Sequence, residues 1–222
     1  MLSVLTEKPE RIEKLFALDH MNDQGIFSVK MYKNGIFQEI VIDNYIPCQD
    51  GAPCFSKANG NELWVIILEK AWAKVHGSYE RIEAGFAHEV MRDLTGAPSF
   101  DVDVDEEGLF DKLETYDQRH FMMAASAGST EASAETLEDL GLVAQHSYGL
   151  LAAKKIITDD GEELQLVQLR NPWGSFEWKG DWSDDSELWT DEIKSKVGFQ
   201  EGLDDGSFWM SFEDLAYYFS RI

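Results

Sequence analysis

Cysteine, proline and positive charge are all scarce in this 222-residue chain, which has two Cys, five Pro, and 19 Lys and Arg against 42 Asp and Glu. Two cysteines, Cys48 and Cys54, cannot supply the cross-link framework of a small secreted domain, and their spacing matches no common zinc or redox motif. A formal net charge of −23 repels nucleic-acid phosphates and anionic membrane surfaces, whose recognition is built on cationic contacts. No apolar run reaches membrane-spanning length, and with Glu7, Lys8, Glu10 and Arg11 in the first dozen residues no secretory leader is expected. An intracellular, cytoplasmic protein is expected, with no nucleic-acid partner and no membrane span.

What is present is material for a core. A hydrophobic content of 44% over this length supports one or two compact units. The first part offers a helical start, strands over 25–31 and 37–42, and a strong helix over 61–76. That helix has Asn61 as a cap candidate, Trp64, Leu68, Ala71, Trp72 and Val75 at helical spacing, and Gly77 just past its end. A shorter helix over 88–94 stops at Thr95-Gly96-Ala97-Pro98, which sets a boundary between lobes spanning 1–95 and 96–222.

The second lobe reads as a helix over 106–117, a strand over 121–123 and an Ala, Ser and Glu-rich connector over 126–142. Next come an apolar, β-branched run over 150–157 and a run over 164–169 that alternates with period two, separated by Thr158-Asp159-Asp160-Gly161, the pattern of an antiparallel hairpin. A last strand over 208–210 leads into a helix opened by Ser211, with Phe212, Leu215 and Phe219 on one face.

The hairpin brings chemistry together. His146 precedes its first strand and Asn171 follows its second, 25 positions on, so pairing about the turn delivers both, with Trp173, to the same open end. An asparagine oxygen that accepts the Nδ1 proton of His146 would fix its tautomer and leave Nε2 to exchange a proton with a thiol. Taken singly, a histidine on a strand is more often a packed rim residue than a catalyst, and Asn-Pro is a turn signal. Cys48 and Cys54 each follow a proline and neither opens a helix, so neither has a setting that activates a thiol.

Between Glu177 and Asp205 the chain carries ten carboxylates against three lysines. Such a cluster is more often a solvated face than a metal site. Loop carboxylates and carbonyls are nevertheless the ligand type that calcium takes.

Gln145-His146-Ser147-Tyr148, Leu169-Arg170-Asn171-Pro172-Trp173-Gly174, Glu177-Trp178-Lys179-Gly180-Asp181-Trp182-Ser183-Asp184 and Asp205-Gly206-Ser207-Phe208-Trp209-Met210-Ser211-Phe212 together resemble the protease core of the calpains, the papain-like, calcium-dependent cysteine proteases. Supporting matches occur at Asp50-Gly51, from Trp64 to Lys74, and at Gly77-Ser78-Tyr79-Glu80. The resemblance implies an α+β, papain-like fold with a mainly helical, partial first lobe and a sheet-rich second lobe.

It also implies His146 as general base and acid, Asn171 as its orienting partner, Trp173 as the cover of the pair and gate of the cleft, and the 126–142 connector as a loop beside that cleft. Calcium is implied as cofactor, with Glu177, Asp184, Asp205 and the Leu203 carbonyl in one site; Glu80 matches a ligand of another, whose partners are expected before Met1, so that it is not expected to bind alone; no organic cofactor is implied. Ser207 stands where the family has an acidic ligand, Gln145 where it has glycine and Ser147 where it has alanine.

The family's Gly-Asp-Cys-Trp segment, which carries the nucleophile at a helix start, and its oxyanion-hole glutamine have no match within these residues. They are expected before Met1. The 222 residues alone are therefore expected not to cleave peptides. Three readings stay open: the His and Asn portion of a calpain-type endopeptidase acting on protein or peptide substrates, a non-catalytic calpain-like module that binds peptide, calcium or a regulatory partner, and a calcium-dependent scaffolding module.

Overall fold

The computed structural model describes residues 3–17, 22–57, 62–128, 132–200 and 205–222. They form an α+β protein of two compact units, one over Val4–Phe100 and one over Asp101–Ile222.

The described chain opens on α1 (Ser3–Thr6) and α2 (Pro9–Glu13), the latter with proline in its first turn, where no intrahelical N–H is needed. Strands β1 (Ile26–Lys33) and β2 (Ile36–Asp43) pair antiparallel around an Asn34-Gly35 turn in which both residues have positive φ. A short hairpin of β3 (Cys48–Gln49) and β4 (Ala52–Pro53) follows. Helix α3 (Trp64–His76) and helix α4 (Ala87–Thr95) pack on the longer hairpin, burying Val29, Met31, Ile66, Ile67, Leu68, Ala71 and Leu94.

Helix α3 begins later than the sequence suggests, with Leu63 as an N-cap that makes no side-chain capping bond. The expected cap Asn61 lies outside the described residues. Trp64, Trp72 and Val75 are half-buried rather than core, because the more deeply sunk face carries the aliphatic residues. Both helices end on glycine in the left-handed region, Gly77 at φ 103° and Gly96 at φ 70°.

The second unit contains α5 (Leu109–Gln118), β5 (Met123–Ala127), α6 (Ala134–Asp139), β6 (Ser147–Ile157), β7 (Glu163–Arg170), α7 (Asp191–Val197), β8 (Ser207–Ser211), α8 (Phe212–Tyr218) and β9 (Phe219–Arg221). Its antiparallel five-stranded sheet runs β8-β7-β6-β5-β9. Strands β6 and β7 are the hairpin read from the sequence, with Ile157 opposite Glu163 and Gly149 opposite Arg170.

Tyr148, Leu150, Leu169, Phe208, Met210, Leu215 and Phe219 fill one core with Leu109 and Leu113 of α5. Leu166, Trp182, Ile193 and Trp209 fill a second. The described part of the 126–142 connector holds α6, capped by Ser133 Oγ accepting from the Thr136 N–H; residues 129–131 lie outside the described residues. Ser211 caps α8 as expected, accepting from the Asp214 N–H.

Candidate active site

Three strand ends converge on His146. Gln145 sits in the left-handed region at φ 56°. Its N–H donates to the Ala127 carbonyl at 3.0 Å, and the Ala127 N–H donates back to the His146 carbonyl at 2.8 Å. The turn is thereby stitched to the end of β5 at a conformational cost of about 1–2 kcal/mol for a residue with a Cβ. Glycine at this position would adopt that φ without the penalty.

Asn171 follows β7 and is 1% exposed. Its Nδ2 donates to the carbonyls of Ser175 and Phe176, each at 2.9 Å. Its Oδ1 accepts from the Trp173 N–H at 3.1 Å and faces His146 Nε2, also at 3.1 Å. With both amide protons on carbonyls and Oδ1 already accepting a backbone N–H, the amide can be placed only one way round. The nitrogen facing it must be the donor, so the proton of the imidazole lies on Nε2.

This corrects the assignment expected from the sequence, in which Nδ1 met the asparagine. The turn through Gln145 presents the imidazole to Asn171 by its far nitrogen, leaving Nδ1 as the lone-pair nitrogen, a choice that residue spacing does not encode.

The ring is held from two further sides. Tyr148, fully buried, meets it edge to face with centroids 5.1 Å apart, and its own Oη accepts from the Val143 N–H at 2.9 Å. The Trp173 ring lies 4.7 Å from the imidazole, tilted by 45°, while remaining 63% exposed. Loss of hydration pushes His146 below the ordinary imidazole pKa, against the opposing effect of its bond to Asn171. The result is a neutral, oriented imidazole beside an exposed indole, equipped to accept a proton at Nδ1 and return it.

The acidic segment lies beside this pair. Glu177 Oε1 accepts from the Gly206 N–H at 2.8 Å. Asp205 Oδ1 accepts from the Ser207 N–H at 3.0 Å, and its Oδ2 pairs with Arg170 Nη2 at 2.9 Å. Burial raises the Asp205 carboxyl, but the Ser207 bonds and the Arg170 charge outweigh it and hold the group below its usual range. Asp184 is shifted the other way, pushed up by burial and by the charges of Asp185 and Asp205.

Among the described residues no group of three or more His, Cys, Asp or Glu side chains is gathered as a metal cluster. The donor types of Glu177, Asp184 and Asp205 suit a hard cation, but Asp205 is already bonded through both oxygens. Leu203 lies outside the described residues. Glu80 is exposed on a 3-10 turn of the first unit. Cys48 and Cys54 are exposed on the β3–β4 hairpin, away from any helix start.

Several residues that shape this corner carry little sign of it in the sequence. Gly206, at φ 83°, is bracketed so closely that a Cβ would lie 2.6 Å from the Asn171 carbonyl oxygen, and one on Gly141 would lie 1.8 Å from that of Glu177. A glycine flanked by turn residues is the only visible signal. Arg170 stands inside a motif whose residue pattern gives it no task.

The description "calpain family cysteine protease" belongs to a family model that matches residues 1–222. The chain is 36% identical over 233 residues to the calpain-type cysteine protease ADL1 of Oryza sativa subsp. japonica, covering 100% of this chain and 10% of that protein. It is 35% identical over 205 residues to calpain-9 of Mus musculus, covering 89% of this chain and 29% of that protein. Against the calpain-1 catalytic subunit of Mus musculus it is 34% identical over 203 residues, covering 89% and 28%. The chain thus spans between about a tenth and three tenths of the length of these relatives.

Proposed function

Because the chain belongs to the calpain family of cysteine proteases, we propose that it is the His and Asn-bearing core of an intracellular, cytoplasmic thiol endopeptidase, with His146 as general base and acid and Asn171 as its orienting partner. The observation that carries this is the Asn171 amide, whose four hydrogen bonds leave its oxygen a single orientation toward His146 Nε2.

The nucleophile is a cysteine outside these 222 residues, and without it the chain does not hydrolyse peptides. His146 Nδ1 takes the thiol proton, giving a thiolate and an imidazolium whose Nε2–H stays on Asn171. The thiolate adds to the scissile carbonyl of an extended protein segment, and the C–N bond breaks as Nδ1–H protonates the leaving amine. His146, neutral again, removes a proton from water as it attacks the thioester, and returns that proton to the sulfur. Trp173 limits water access to the His–Asn pair, which strengthens the bond between them.

Calcium is a separate part of the reading. Glu177, Asp184 and Asp205, with the Leu203 carbonyl, would hold it, and its charge would offset the acid surplus of this segment. Ser207 supplies one oxygen without the charge of a carboxylate. Titration calorimetry with calcium on the chain and on Asp184→Asn tests this: binding lost in the variant supports it, and no binding by either rejects it.

The proteolytic reading is tested by supplying a Gly-Asp-Cys-Trp segment upstream and following alkylation of its thiol against pH. A thiolate paired with the His146 imidazolium reacts well below pH ~8.5, the ordinary thiol pKa. His146→Ala returns the reaction to the ordinary range, and an identical profile in parent and variant rejects the reading.

A further inference from the structure

We propose that Arg170 is a positioning residue for the candidate catalytic pair: its guanidinium clamps the Asp205–Ser207 turn, and that turn sets where Asn171 stands. The inference rests on the reading of His146 and Asn171 given above and adds a residue to it.

The connection is continuous. Arg170 Nη2 bonds Asp205 Oδ2 and Arg170 Nε bonds Ser207 Oγ, both at 2.9 Å. One planar fork therefore grips both sides of Gly206, a grip that lysine, a single point of charge, cannot reproduce. Within the gripped turn the Ser207 N–H closes on Asp205 Oδ1 at 3.0 Å.

Gly206 then ties both ends of the loop that holds the asparagine. Its carbonyl accepts the Asn171 N–H at 2.8 Å and its own N–H donates to Glu177 Oε1 at 2.8 Å. Between these anchors run Ser175 and Phe176, whose carbonyls fix the Asn171 amide. There is no slack at the glycine, where a Cβ would also come within 2.9 Å of the Gly174 α-carbon. A shift of the turn moves the Asn171 backbone and the carbonyls that orient its side chain together.

Serine at position 207 fits this account. Its hydroxyl is short enough to accept from Arg170 Nε while its backbone pairs with Arg170 in the β7–β8 ladder. The side chain of Arg170 and the backbone of Asn171 are adjacent in sequence, so the clamp acts over a single peptide bond.

The test is nitrogen-15 NMR of the His146 imidazole in the 222-residue chain, comparing the parent with Arg170→Met, Arg170→Lys and Asp205→Asn. The parent shows the Nε2–H tautomer. In Arg170→Met that tautomer loses its dominance and the His146 titration midpoint shifts, while Arg170→Lys lies between the two. A folded Arg170→Met with unchanged tautomer and midpoint overturns the proposal and leaves Arg170 a structural ion pair. If Arg170→Met does not fold, the other two variants decide: displacement of the His146 tautomer supports the clamp, and an unchanged His146 in both overturns it. Failure of a Cys-supplied chain to cleave peptides, with the NMR effect intact, sinks the catalytic reading but not the clamp.

Discussion

His146 Nε2 and Asn171 Oδ1 stand 3.1 Å apart although 25 positions separate them in the chain. The β6–β7 register makes the approach, and a fully committed amide fixes its polarity. Asn171 spends every polar side-chain atom on this corner, so its removal affects both stability and the imidazole.

Asn171→Ala leaves the carbonyls of Ser175 and Phe176 and the N–H of Trp173 without their partner. At about 1 kcal/mol net for each hydrogen bond, with an added cost for groups left buried, the loss is about 3–5 kcal/mol. Urea unfolding of parent and variant measures it, and a loss below about 1 kcal/mol contradicts the hydrogen-bond network described.

Gln145 occupies a backbone region that glycine enters freely. Gln145→Gly is expected to leave stability unchanged or raise it by up to about 1 kcal/mol, strain relief being offset by the entropy of the unfolded chain. Gln145→Val is expected to lower stability, because a β-branched residue tolerates positive φ less well than glutamine. The urea midpoint of the glycine variant should lie above that of the valine variant; the reverse order refutes the positive φ.

How much can be read from residues alone differs sharply across this corner. The hairpin is legible because period-two alternation and a Thr-Asp-Asp-Gly turn are local, and the meeting of His146 with Asn171 follows from register. The imidazole nitrogen used is not legible, since it depends on the turn angle before β6. Nor is the start of α3, where burial of Ile66 and Ile67 decides the helix in place of a capping side chain. The tight seats of Gly141 and Gly206 are distances between segments far apart in sequence, and no local pattern reports them. Arg170 is one residue of a motif until its two bonds across Gly206 give it a task.

Gly141→Ala tests the closest of those seats. A methyl group 1.8 Å from the Glu177 carbonyl oxygen, at a φ of 80°, cannot be absorbed without moving the backbone that carries Glu177 and Trp178. A loss of more than about 3 kcal/mol, or failure to fold, is expected. A variant within about 0.5 kcal/mol of the parent contradicts the packing of this loop.

Acid sensitivity is expected in the first unit from His76. Lys33 Nζ donates to His76 Nε2 at 3.2 Å and to Asp93 Oδ2 at 3.1 Å, with Asp93 only 2% exposed and Arg92 Nε 3.2 Å from its other oxygen. Burial, then the Lys33 charge, lower the His76 pKa from its ordinary 6.5, while Asp93 and Glu89 act in the opposite sense. The unfolded chain therefore binds the proton first as pH falls. The stability this histidine contributes is complete above about pH 6.5 and declines as pH drops through the window below it. In urea unfolding at about pH 7.5 and pH 5.5, His76→Gln should lose less stability on acidification than the parent; an equal or greater loss contradicts the neutral acceptor role.

Whether His146 and Asn171 are the proton-handling half of a calpain-type thiol protease is decided by cleavage. The chain is extended upstream with a Gly-Asp-Cys-Trp-bearing segment and assayed for peptide-bond hydrolysis beside its His146→Ala variant. Hydrolysis by the extended chain is expected, with a loss of at least about a hundredfold in the variant, the scale of a removed general base. A folded, extended chain that cleaves no peptide, or one that cleaves equally well without His146, contradicts that role.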